Sequence, residues 1–182
     1  MRVPDLSSTQ IQSITGEVAR YIGLQREKYR DSGHPLSAKQ KTLMQPFFPA
    51  IALDSIRLTT LRSGRIEDPP FYSQLKALGI PVGSLPSFAG MSAVTLVDVI
   101  VSVGPISGPT LFHELVHVVQ YAKLGLNEFS SRYVRGFLHG GAYERIPLEI
   151  NAYELDAEFT RHPGRHFSVE DRVQHWIDND RF

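Results

Sequence analysis

Cysteine is absent from the 182 residues, so no disulfide staples the chain and no thiolate serves it as nucleophile or metal ligand. An excess of one charge is lacking too: 19 basic and 19 acidic residues cancel, and no basic run stands out. That disfavours nucleic acid or an anionic membrane surface as the main partner and points to a polypeptide. No apolar run can span a bilayer, because the longest, residues 94–103, is shorter than the ~20 residues required and contains Asp98. The segment Met1 to Ser7 has no apolar signal-peptide core, which makes the cytoplasm the default expectation and leaves export by another route open. No repeat or low-complexity linker divides the sequence. With 42% hydrophobic residues, one α+β domain with a full core is expected over residues 1–182.

Present instead is His113-Glu114-Leu115-Val116-His117, a match to H-E-x-x-H. On a helix, residues i and i+4 share a face with Cβ atoms roughly 5–6 Å apart, so two imidazoles can reach one ion at about 2.0–2.1 Å each. Glu114 sits about 100° around the helix from His113, where its carboxylate can flank that ion and take a proton from water. A chain of this composition carries the pattern by accident roughly once in a hundred. The surroundings supply the helix. Ser107-Gly108-Pro109-Thr110 reads as its start, and Lys123 and Gly125 read as its end. Between them Leu111, Phe112, Leu115, Val116, Val118, Val119 and Leu124 leave almost no polar face, so the helix is expected to be buried nearly all round. Burying two His and a Glu there requires partners. A metal is one answer, and core histidines satisfied by hydrogen bonds are the other.

A zinc site of the hydrolytic kind takes three protein ligands and leaves a fourth position to water. The segment Pro147-Leu148-Glu149-Ile150-Asn151-Ala152-Tyr153-Glu154 reads as a second helix opened by Pro147, with Glu149 near its N-terminus as third-ligand candidate. Glu154, Asp156 and Glu158 are rivals that also suit a solvated acidic face, since Leu148, Ala152, Leu155 and Phe159 form the apolar stripe. H-E-x-x-H followed by E-x-x-A on the next helix resembles the gluzincin group of zinc metallopeptidases. Over residues of about 90–160, His113-Glu114-Leu115-Val116-His117-Val118-Val119-Gln120 with the following Pro-x-Glu-x-x-Ala-Tyr resembles bacterial metallopeptidase-like domains of unassigned function carrying HEL-x-HVVQ. The resemblance implies a zincin-like fold and one Zn2+ ion on His113, His117 and Glu149. It also implies Glu114 as general base and a peptide or protein substrate. One position departs from the pattern: gluzincins of the thermolysin type carry Asp four residues after the ligand Glu, and this chain has Tyr153, whose phenol is uncharged.

An oxyanion donor is expected near such a site, and Tyr143 is named for it, with His139, Arg145 and Tyr153 as alternatives. These lie in or beside the glycine-rich stretch Gly136 to Arg145, expected to be a loop forming a mobile wall between the ligand helices. The β-branched run 94–103 reads as one strand or two short ones next to the motif helix, where a strand could present backbone groups to an extended peptide. Elsewhere, helices are expected over about 8–31, 37–48, 71–78 and 168–180, a strand over 56–61 and a loop over 80–90. This divides the domain into an N-terminal helical part (about 1–50), a metal-site core (about 51–160) and a C-terminal helix. His162 and His166 have ligand-like spacing, but Pro163-Gly164 between them predicts a polar loop. Against the hydrolase reading stands a pseudoenzyme, metal-free or with structural zinc, that serves as a protein-interaction module. Oligomeric state is left open.

Overall fold

Serine caps write much of the helical architecture. Ser7 Oγ accepts from the Gln10 N–H (3.3 Å) while the Ser7 N–H donates to Gln10 Oε1 (2.8 Å), a reciprocal pair that opens α1 (Ser8–Arg30). The same box, Ser37 with Gln40, opens α2 (Ala38–Met44). In this computed structural model, residues 4, 6–49, 51, 53–81, 85–162 and 164–182 are described. Among them the chain forms six helices and a four-stranded mixed sheet, an α+β arrangement. The remaining elements are β1 (His34–Pro35), β2 (Arg57–Leu61), α3 (Tyr72–Ala77), β3 (Ala93–Leu96), β4 (Val99–Val103), α4 (Gly108–Gly140), α5 (Pro147–Arg161) and α6 (Val169–Asp178). None of the helices is long and apolar enough to cross a membrane.

The sheet order is β1-β2-β4-β3, with β2 and β4 parallel and the other pairs antiparallel. The run 94–103 is thus two strands, turned at Val97, whose φ of 64° is left-handed. Asp98 holds that turn to α1, accepting from Arg26 Nε (2.5 Å) and Nη2 (3.0 Å) and from Arg30 Nη1 (2.7 Å). Successive side chains of β4 face opposite ways. Ile100 joins a core built with α2, α5, α6 and the first half of α4, while Val99 and Val101 join a second core with α1, α3 and the second half of α4.

Helix α4 departs from expectation at its C-terminal end. Ser107 caps it through the Thr110 N–H (3.2 Å), and Gly125 breaks its regularity with φ 74° and ψ 163°, yet the chain turns helical again at once and continues to Gly140. Gly141, with φ 70°, is the true stop, its N–H donating to the Phe137 carbonyl at 2.7 Å. Residues 136–140 are therefore helix rather than loop. Burial of Phe129, Val134 and Phe137 in the second core outweighs the ~1 kcal/mol that a glycine costs a helix. The glycines there serve packing. A Cβ on Gly136 would stand 2.6 Å from Pro147 Cδ, and one on Gly140 2.7 Å from Arg145 Cβ. Bare Gly136 lets the start of α5 lie directly on α4, and bare Gly140 does the same for the turn Tyr143–Arg145 before it.

His166 packs edge-on against Phe47 (ring centroids 5.3 Å apart) in the connection between α5 and α6. Pro163, on which the loop expectation rested in part, lies outside the described residues. Ser168 then caps α6 through the Asp171 N–H at 3.1 Å.

Candidate metal centre

Helix α4 carries His113 and His117 one turn apart on a buried face, and the first turn of α5, laid against it by Gly136, carries Glu149. The three converge. His113 Nε2 and His117 Nε2 are 3.2 Å apart, and Glu149 Oε2 lies 3.5 Å from the first and 3.3 Å from the second. A tetrahedral ion with bonds of about 2.0–2.1 Å needs ligand atoms about 3.3–3.4 Å from one another. The observed triangle meets that requirement, and the donor set, two imidazoles and a carboxylate, suits zinc. All three residues are buried, and among the described residues Glu149 Oε2 receives no well-aligned hydrogen bond. A buried carboxylate oxygen without a donor is expensive unless a cation faces it.

Charges in the site are strongly coupled. Burial opposes ionisation of Glu149, but His117 and His113 overcome it and hold the carboxyl well below the usual range. Burial likewise opposes a charged His117, and the Glu149 carboxylate outweighs it, lifting the imidazole to about 9. Glu114 responds differently. Burial pushes its pKa up, against the pull of both histidines and Thr95, whose Oγ1 donates to Glu114 Oε2 at 2.6 Å. The base candidate is thus fixed from β3 and kept avid for a proton.

The rival carboxylates stay apart from this group: Glu154 is exposed, Asp156 accepts from Thr160 (3.4 Å), and Glu158 pairs with Arg172 (3.4 Å) and Arg165 (3.9 Å). Tyr153 lays its ring against that of His113, centroids 4.5 Å apart, and His113 Nδ1 has no hydrogen-bond partner among the described residues. Position 153 gives the histidine a ring contact instead of a bond. Tyr143, in the short 3-10 turn Tyr143–Arg145, directs its phenol towards Glu149, where burial and that carboxylate raise its pKa far above 10 and keep it a donor. His139 and Arg145 are exposed.

Three participants escape a reading of the sequence. Tyr133, hidden by the expectation that the motif helix stops at Gly125, also faces Glu149, and burial raises its pKa. Thr95 is one hydroxyl in a β-branched run. Gln120, a fully buried amide beside His117, had a legible signal: a polar residue three positions after the second histidine on an otherwise apolar helix. Glu114, His117 and Glu149 border a cavity of about 100 Å3, whose other walls are mainly apolar side chains of α1, β3, residues 69–80 and 85–91, and the second half of α4. No protein-family model matches the chain, and neither does any curated protein or solved structure.

Proposed function

We propose that the protein is a zinc-dependent metallopeptidase of zincin-like, gluzincin-type architecture, with one ion held by His113, His117 and Glu149. The observation that carries the reading is the buried triangle of 3.2, 3.3 and 3.5 Å between their donor atoms, with a Thr95-anchored Glu114 beside it. Zinc in such a site polarises a carbonyl and lowers the pKa of water towards about 7. Glu114 takes the proton from the attacking water and passes it to the leaving amine, a transfer suited to a carboxylate whose proton affinity burial has raised. Tyr143 donates to the oxyanion that develops on the scissile carbonyl. Strand β3 is an edge strand next to α4, so an extended peptide would align along it as a further strand.

Zinc content and hydrolysis test this together. Protein purified without chelator is expected to hold one zinc per chain. Glu114→Gln keeps the metal and loses peptide hydrolysis by at least about 100-fold, the scale of one general base. His113→Ala and Glu149→Ala lose the metal itself. A wild-type chain that takes up no zinc, with a thermal midpoint indifferent to added zinc, defeats the enzyme reading and leaves the interaction module in its place.

A further inference from the structure

Gln120 is wholly buried on α4, and each end of its amide has one partner: Oε1 lies 2.8 Å from His117 Nδ1 and Nε2 lies 3.0 Å from the Leu148 carbonyl. A carbonyl only accepts, so the Gln120 NH2 must face Leu148 and the amide oxygen must face the ring. The oxygen in turn can only accept, which puts the proton of a neutral His117 on Nδ1. Its Nε2 then presents a lone pair to the point shared with His113 Nε2 and Glu149 Oε2. Turning the amide over would set oxygen against oxygen at Leu148 and favour the tautomer that blocks Nε2. The bond to Leu148 has a second consequence, because Leu148 directly precedes Glu149 in the first turn of α5. One side chain therefore orients a histidine on α4 and fixes the backbone next to a carboxylate on α5.

We infer that Gln120 is the positioning residue of the metal centre: it selects the His117 tautomer and sets the reach of Glu149, without touching the ion. This rests on reading the three-residue group as a zinc site. Zinc affinity, measured by competition with a chelator, is expected to fall 10- to 100-fold in Gln120→Leu, the usual effect of losing a partner that orients a ligand. Gln120→Glu restores only part of it, because a carboxylate sets an oxygen against the Leu148 carbonyl in place of the lost N–H but accepts the same Nδ1–H. In the zinc-loaded protein that proton is expected far downfield in wild type and Gln120→Glu, and shifted upfield in Gln120→Leu. Val173→Ala, a cavity in the core shared by α4 and α6, controls for lost stability and leaves affinity unchanged. If Gln120→Leu does not fold, Gln120→Asn, one methylene too short to span both partners, replaces it with the same expected loss. A variant affinity within twofold of wild type, or an equal fall in Val173→Ala, overturns the role of Gln120 while the zinc reading stands. Wild-type protein that binds no zinc overturns both.

Discussion

His117 and Glu149 titrate against their surroundings in opposite directions, and their pairing gives the metal-free chain a definite pH signature. The imidazole moves from 6.5 to about 9 because the carboxylate outweighs burial, while the carboxyl is held below its ordinary 4.5. A raised pKa contributes stability that is fully present below the unfolded value, near 6.5, and is lost as pH climbs through the folded value, near 9. For Glu149 the contribution is present above about 4.5 and is lost only as pH falls through its depressed folded value. Chelator-treated protein should therefore show a thermal midpoint that declines between about pH 6.5 and 9. Zinc affinity should rise over the same interval, because an incoming cation must displace the His117 proton. His117→Gln removes that slope. A midpoint flat across this range in the wild type would mean that the buried pair does not form.

The elements show where local sequence signals suffice and where they fail. Ser7, Ser37, Ser107 and Ser168 each cap a helix, and Pro147 opens α5; all are short-range signals, legible because their cause lies within a few residues. Spacing likewise brings His113, Glu114 and His117 to notice, whereas Glu149 stands out from Glu154, Asp156 and Glu158 by its place near the start of α5 and by the resemblance of E-x-x-A to the gluzincin pattern. Gly125 and the glycines at 136 and 140 misled, since the same residue signals a turn or a close approach, and only the neighbour across the interface tells which. The contrast between two helical glycines makes this testable. Gly16 in α1 has nothing within 4 Å of an added Cβ, so Gly16→Ala should stabilise the fold by about 0.5–1 kcal/mol. Gly136→Ala gains the same propensity but drives a methyl into Pro147 at 2.6 Å, an overpacking cost of about 1–3 kcal/mol. The clash wins. Denaturant unfolding should show net destabilisation, with weaker zinc binding as the start of α5 shifts; a stabilised Gly136→Ala would show that α5 yields freely.

At the scale of the whole molecule, α4 joins two cores: Phe112, Leu115 and Val119 belong to one, and Tyr121, Phe129 and Phe137 to the other. The histidine-glutamate group lies where the helix passes between them, and the cavity opens on the side of the second core. An apolar helix predicted its own burial, whereas the cavity was not legible, because its walls come from α1, residues 69–80 and 85–91, β3 and the far half of α4. Its size and lining set an expectation for the substrate. A cavity of about 150 Å3 lined by aliphatic and aromatic groups admits benzene. One of about 100 Å3 suits a side chain between valine and leucine in size. Leucine adds four carbons to glycine, about 3 kcal/mol at about 0.8 kcal/mol each, so peptides presenting leucine should be cleaved with a kcat/KM on the order of 200-fold above those presenting glycine. Val134 lines the same cavity from α4 and is neither a proposed ligand nor the base. Val134→Phe should erase most of that preference while zinc content stays at one per chain. An unchanged preference in Val134→Phe would place the substrate's apolar group elsewhere, along the edge of β3 rather than in the second core.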